Sequence, residues 1–486
     1  MNPSPSSRAG AIARAWQQFD SGRFTEVLAR RVAIASCSQE ASAGLALQAY
    51  LADELLPSLQ ALGFEGRLFD NPAAPAPAPG AGPFLVAHRH EAPGLPNVLS
   101  YAHGDVIRGQ DASWTQGAGP WTLLQDGERL YGRGTADNKG QHSINLAALE
   151  AVLQARGGRL GFNLTLLVET GEETGSPGLA AFCAAERDAL KADVFIASDG
   201  PRVARDRPTL FMGSRGVANF TLTLQCRDGA HHSGNWGGLL RNPGTVMASA
   251  IASLVDGRGV IRVPALRPPP IPTQIPATVR EALAGLRFGG DAGDPLVDAD
   301  WGEPGLTPAE RVIAWNTLEV LAFETGNPRA PVNAIPPRAV AHLHLRFVVG
   351  TEVATLREAV QQHLAAHGFG DIEVSEPEVM AATRLDPRDP WVDFVAESVQ
   401  RSTGQPPVRL PNLGGSLPNE VFAEVLGLPT VWLPHSYAAC NQHAPNEHLL
   451  APVAREALGL MAGLWWDLGE GATPAARPAA ARASSA

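Results

Sequence analysis

Residues 162–178 read FNLTLLVETGEETGSPG, and the fold turns on this stretch. FNLTLLVE, Phe162 to Glu169, is a near-continuous apolar strand, the pattern of a strand covered on both faces. DVFIAS, Asp193 to Ser198, reads the same way. Working outward, Gly140 to Ala155 has a helical pattern, and Ala43 to Leu62 carries apolar residues at helical spacing. Short apolar runs lie between them at Phe84–Ala87 and Val98–Ala102. Strands separated by helices predict an α/β fold: a mostly parallel sheet with helices on both faces.

The middle of the chain has a different period. GVANFTLTLQC (Gly216 to Cys226), LEVLAFETG and AVAHLHLRFVV alternate like half-exposed strands, while Met247–Val255 and Glu352–His367 read as helices. DIEVSEPEV reads as a final strand. The order β-α-β-β-α-β is the split βαβ, ferredoxin-like pattern. It predicts an inserted α+β lid or dimerisation domain at 214–379, within a discontinuous catalytic domain formed by 1–213 and 380–486. A Pro-rich excursion, Val263 to Pro276, is expected as a surface loop. Asn71–Gly82 and the tail 471–486 have compositions that cannot bury much apolar surface, so the tail is expected to be disordered.

Composition narrows the function classes. Lys+Arg number 38 and Asp+Glu 49 in 486 residues, a formal charge of −11, which argues against nucleic acid as a partner. Cys37, Cys183, Cys226 and Cys440 are scattered without a CxxC pair, so neither a disulfide framework nor a thiolate zinc site is expected. The first residues lack the apolar run of a secretory signal, and no stretch approaches the roughly 20 apolar residues of a membrane span. A cytoplasmic location with no membrane partner is the resulting expectation.

Five short segments carry the chemistry, each at or just after an expected strand end, where open α/β sheets place their sites. In LSYAHGDVI, His103 can ligate a metal and Asp105, two residues on, can hold its other ring nitrogen. In LYGRGTADNKGQ, Asp137 sits in a glycine-bracketed loop before a helix, and its two oxygens could bridge two cations. The same loop could be a plain turn, or a phosphate cradle that lacks the G-K-[ST] ending of a P-loop. Glu172 and Glu173 follow the apolar strand between Gly171 and Gly175; one can ligate while the other acts as a general base. Asp199 in FIASDGP and His443 in CNQHAPNEH, with Glu447 nearby, complete the set. Two histidines with several carboxylates suit Zn²⁺ or Mn²⁺.

These motifs, in the order YAHGDV, GRGTADNKG, ETGEETGS, SDG, HHSG, GGSLP and HAPNEH, resemble the metallopeptidase family of carnosine-type dipeptidases, aminoacylases, acetylornithine deacetylases and glutamate carboxypeptidases. The resemblance runs from about Ala43 to Trp466. It implies two divalent metal ions per subunit, Zn²⁺ foremost, with Mn²⁺ or Co²⁺ as substitutes. It places His103 and Asp199 on one ion, Glu173 and His443 on the other, and Asp137 between them. It makes Glu172 the general base and Asp105 the residue that supports the site. It assigns His232, or its neighbour His231, to the transition state, often across a homodimer interface formed by the lid. Arg346 and Asn333 would contact substrate, as would Gly414, Gly415 and Ser416.

The expected reaction is hydrolysis of the amide bond of a dipeptide or small peptide with a free carboxylate. The alternative is deacylation of an N-acyl amino acid, with the same metal centre and a different pocket. The segments GAHHSG and AACNQHAP depart from the DLHSG and Asp-rich stretches common in the carnosine-type branch, which leaves the substrate open. A nucleotide-binding α/β protein using GRGTADNKG would leave His103, Glu173 and His443 without a role.

Overall fold

A computed structural model of the chain describes residue 4 and residues 6–73, 81–267, 275–289 and 294–474. Most of the Pro/Ala loop, half of the Pro-rich excursion and most of the C-terminal tail therefore lie outside the described residues.

The larger sheet runs Glu65–Phe69, Phe84–Arg89, Asn163–Glu169, Asn97–His103, Val194–Ala197, Thr430–Trp432, Thr209–Phe211, Val408–Leu410. Asn97–His103 pairs in parallel with Asn163–Glu169 and with Val194–Ala197, which in turn pairs in parallel with Thr430–Trp432. The outer pair Thr209–Phe211 and Val408–Leu410 is also parallel. The first two strands join antiparallel at one edge, and Thr430–Trp432 meets Thr209–Phe211 antiparallel.

The apolar runs are explained by burial on both faces. In Asn97–His103, Val98 and Ala102 enter one core, while Leu99 and Tyr101 enter another on the opposite face. The first core is closed by helices Lys139–Ala155, Pro390–Thr403 and Ala451–Leu468, through residues such as Val152, Val395 and Trp465. The second is closed by Leu179–Ala185 and by Phe422, whose ring stacks on Phe195 at 4.2 Å.

The smaller sheet is antiparallel, in the order Thr317–Thr325, Arg338–Phe347, Gly216–Gln225, Glu373–Val374. Helices Pro243–Leu254 and Leu356–Ala366 cover one face, with Met247, Leu254, Val360 and Leu364 fully buried against the inward-pointing residues of the strands. The chain order of these elements is β-α-β-β-α-β. The chain enters and leaves this unit side by side: Thr383 N–H donates to Ser214 O at 3.0 Å.

Four local expectations need correction. DIEVSEPEV is not one strand: Glu373–Val374 and Glu378–Met380 pair separately with Gly216–Gln225, and Pro377, which has no N–H to donate, lies in the break. The Ala43–Leu62 helix is interrupted by a π-helical turn, Tyr50–Leu55, just ahead of Pro57. The helix expected from Glu352 begins at Leu356. Residues 275–315, which lie inside the 214–379 span, contribute Ile275, Val279, Ala309 and Ile313 to the core of the larger sheet. Two N-terminal helices, Arg8–Asp20 and Arg23–Val32, also went unread.

Candidate metal centre

Strand ends deliver most of the candidate ligands. His103 is the last residue of its strand and Glu169 the last of the parallel neighbour, so the loop that follows Glu169 carries Glu172 and Glu173 over His103. Asp199 lies two residues beyond Val194–Ala197. Asp137 precedes helix Lys139–Ala155, and its peptide bond to Asn138 is cis. Only glycine fits at the start of that helix: a Cβ on Gly140 would lie 1.9 Å from the Thr135 carbonyl oxygen. His443 comes from the loop before the short strand His448–Leu450, which leads into helix Ala451–Leu468.

Side chains far apart in sequence meet in two trios. His103 Nε2 lies 2.9 Å from Asp137 Oδ1 and 3.5 Å from Asp199 Oδ2. His443 Nε2 lies 3.0 Å from Asp137 Oδ2 and 3.0 Å from Glu173 Oε2. Within each trio the candidate ligand atoms fall within 4.8 Å of one another. Asp137 belongs to both and turns a different oxygen to each histidine, the arrangement a bridging carboxylate needs.

The residues fit divalent cations. Imidazole nitrogens and carboxylate oxygens suit Zn²⁺, Mn²⁺ or Co²⁺. Asp199 Oδ2 is buried and accepts no hydrogen bond, so it wants a positive partner. Burial and crowding by like charge push the carboxyls upward. Glu172 is raised well above the usual carboxylate range by burial, and Glu173 is pushed up to about 7 by burial and by Asp137. Asp199 is also raised by burial and by Asp137. Asp137 resists its own burial, because bonds to His103 and His443 hold it far below the usual range. A cation in either trio relieves this repulsion.

Asp105 organises the site from beneath. Its carboxylate accepts the backbone N–H groups of Glu172 at 3.3 Å and Glu173 at 3.1 Å, and the Ser38 hydroxyl at 2.7 Å. Its carbonyl oxygen lies 3.1 Å from His103 Nδ1, which leaves Nε2 for the ligand role. Glu447 was noticed in the sequence only as a neighbour of His443. In the fold it is 1% exposed, pairs with Arg133 at 2.7 Å, and accepts backbone N–H groups of Gly134, Ala136 and Asp137. Gln442 and Ser38 were missed; the Gln442 amide donates to Asp137 Oδ2 at 2.5 Å. Adjacency to His443 was the only signal for Gln442, and Ser38 carried none.

The remaining expected site residues form two further groups. Arg346, on the smaller sheet, donates from Nη1 to Ser416 Oγ at 2.6 Å, in the loop Gly414–Gly415–Ser416. Arg215 donates to the Gly414 carbonyl at 2.7 Å, which ties that loop to the strand carrying Val217. His232 lies on a short two-stranded ladder with Ala334–Ile335, and Asn333 just precedes that second strand, where Ser233 N–H donates to Asn333 O at 2.9 Å; both residues are exposed. Among the described residues, no hydrogen bond or ion pair joins His232 or Asn333 to the metal-ligand cluster. No helix of the described chain is long and apolar enough to cross a membrane.

The chain is similar to known proteins along most of its length. The model of peptidase family M20/M25/M40 matches residues 99–467. The Cys-Gly metallodipeptidase DUG1 of Candida albicans is 31% identical over 475 residues, covering 88% of this chain and 90% of that protein. The cysteinylglycine-S-conjugate dipeptidase of Corynebacterium striatum is 28% identical over 333 residues, covering 66% and 70%. Among solved structures, human carnosine dipeptidase 1 shares the fold with a TM-score of 0.77 at 22% identity, over 94% of this chain and all of that one.

Proposed function

Because the chain belongs to peptidase family M20/M25/M40 and is a metallopeptidase, we propose that it is a two-metal dipeptidase that cleaves the amide bond of a dipeptide or small peptide with a free carboxylate. The observation that carries this reading is the shared Asp137, with one oxygen toward His103 and the other toward His443.

In this reading His103, Asp137 and Asp199 hold one cation, and Asp137, Glu173 and His443 hold a second. When bound, the ions supply a water acidic enough to lose a proton near neutral pH and a Lewis acid for the scissile carbonyl. Glu172 takes that proton on its carboxylate and returns it to the leaving amine. Burial favours the protonated form of Glu172, which suits the second half of this task. Asp105 holds Glu172 and Glu173 in register through their backbone N–H groups. Arg346 binds the substrate's carboxylate beside Gly414, Gly415 and Ser416.

His232 and Asn333 act on the substrate from a lid built on the smaller sheet, within 214–379, that closes on the catalytic domain or is completed by a second copy of the chain. Exposed Val320, Leu321 and Phe323 on the edge strand Thr317–Thr325 support pairing of two lids through that edge. The expected partner is thus a homodimer mate, with Zn²⁺ the native metal.

A panel of dipeptides, including Cys-Gly and β-Ala-His, set against N-acetyl and N-succinyl amino acids, tests the reading. Metal-dependent turnover of dipeptides supports it. Turnover confined to the N-acyl amino acids would replace it with the deacylase reading.

A further inference from the structure

Arg346 does not reach its place unaided. His342, His344 and Arg346 project from the same face of strand Arg338–Phe347, the face not covered by the helices. His344 lies opposite Asn219 in the ladder, and its Nδ1 is 3.2 Å from Asn219 Oδ1. Its Nε2 is 2.7 Å from Arg346 Nε. A guanidinium nitrogen always donates, so His344 Nε2 is the acceptor and Nδ1 carries the proton toward Asn219. At the far end, Arg346 Nη1 donates to Ser416 Oγ at 2.6 Å, and that hydroxyl donates to the Arg215 carbonyl at 2.6 Å. The result is one continuous chain in which donation runs outward from Arg346 on both sides, through Ser416 to the Arg215 carbonyl and through His344 to Asn219.

We propose that His344 is a positioning residue for substrate recognition, its neutral imidazole fixing the Arg346 guanidinium so that the free hydrogens on Nη1 and Nη2 face a substrate carboxylate. This rests on the reading of Arg346 as the carboxylate-binding group. Among the described residues, Nη2 has no hydrogen-bond partner, so an end-on bidentate contact through Nη1 and Nη2 remains open. The neutral state is the stable one here. Burial, then the charges of Arg346 and Arg215, hold His344 down to about 4. The other charged or titratable neighbours across the sheet are Glu319, opposite His344 on the edge strand, Glu378, opposite Asn219, and His342. A second cation at position 344 would push the guanidinium away from the place Ser416 gives it.

Steady-state kinetics on the metal-loaded full chain test this, with whichever of Cys-Gly or β-Ala-His the enzyme hydrolyses and with the C-terminal amide of the same dipeptide. His344→Lys is expected to raise KM for the free acid roughly tenfold, the scale of one charge-assisted contact, with kcat changed less than about twofold. His344→Gln, which keeps an acceptor, should recover most of that loss, and neither variant should alter KM for the amide. Arg346→Ala separates the two layers of the argument. If it penalises the acid but not the amide while His344→Lys leaves KM unchanged, the role of His344 is overturned and that of Arg346 stands. If Arg346→Ala treats acid and amide alike, the carboxylate reading itself falls. A drop in kcat at constant KM in His344→Gln would place His344 at the reacting atoms and overturn the proposal.

Discussion

The carboxylate of Glu447 accepts the backbone N–H of Asp137 at 3.1 Å. The same carboxylate holds Gly134 and Ala136 and pairs with a fully buried Arg133. Glu447 therefore couples the loop of the shared ligand to the loop of His443, four residues before it. Removing its charge leaves Arg133 buried and unpaired, at a cost of about 3–5 kcal/mol. Glu447→Gln is expected to lower the thermal midpoint and to weaken metal binding roughly 10–100-fold in chelator competition. Wild-type metal affinity in a destabilised variant would show that Glu447 serves the fold and not the ligand.

Glu172 donates no ligand to either trio, yet its carboxylate lies in the loop directly beside Glu173. Glu172→Gln should lower kcat about 10²–10⁴-fold, the usual share of a general base, while the bound metal content stays at the wild-type value. Turnover within tenfold of wild type would remove Glu172 from the mechanism.

Asp105 accepts from Ser38 and from two successive backbone N–H groups. An asparagine would turn an NH₂ toward one of those donors. Asp105→Asn should weaken metal retention roughly tenfold or more, because the loop that carries Glu173 loses the carboxylate that holds its backbone N–H groups. Titration of the apo-protein with Zn²⁺ checks this; a binding curve that overlays the wild type refutes it.

The larger sheet was legible because strands buried on both faces are written as unbroken apolar runs, as in FNLTLLVE, and because ligands at strand ends recur at fixed places. The five candidate ligands, His103, Asp137, Glu173, Asp199 and His443, stood out in the sequence for the same reason, and the fold brings them together. Glu447 was not, since nothing in NEH distinguishes a carboxylate that grips backbone N–H groups from one that faces water. His344 was hidden in plain alternation: HLHLRF marks which residues share a face, and only the register against Asn219 gives one of them a task. The split of the last strand and the π-helical turn depend on single prolines whose effect is decided by the neighbouring strand or turn.

Glu420 gives the stability a pH signature. Burial, reinforced by Glu424, pushes its carboxyl up to about 7, and its Oε2 has no hydrogen-bond partner. A raised carboxyl favours the folded state fully below its unfolded value, near 4.5, and that contribution is lost as pH rises through about 7. Glu420→Gln should therefore gain thermal stability over wild type between pH 5 and pH 8, with no further gain above that. A difference in melting midpoint that is flat across this range would contradict the assignment.

Anomalous X-ray diffraction from crystals of the Zn²⁺-loaded protein addresses the shared carboxylate directly. Two peaks about 3.5–4 Å apart are expected, one against His103 and Asp199 and the other against Glu173 and His443, each touched by a different oxygen of Asp137. A single ion in fully loaded crystals, or two ions that do not share Asp137, would contradict the account.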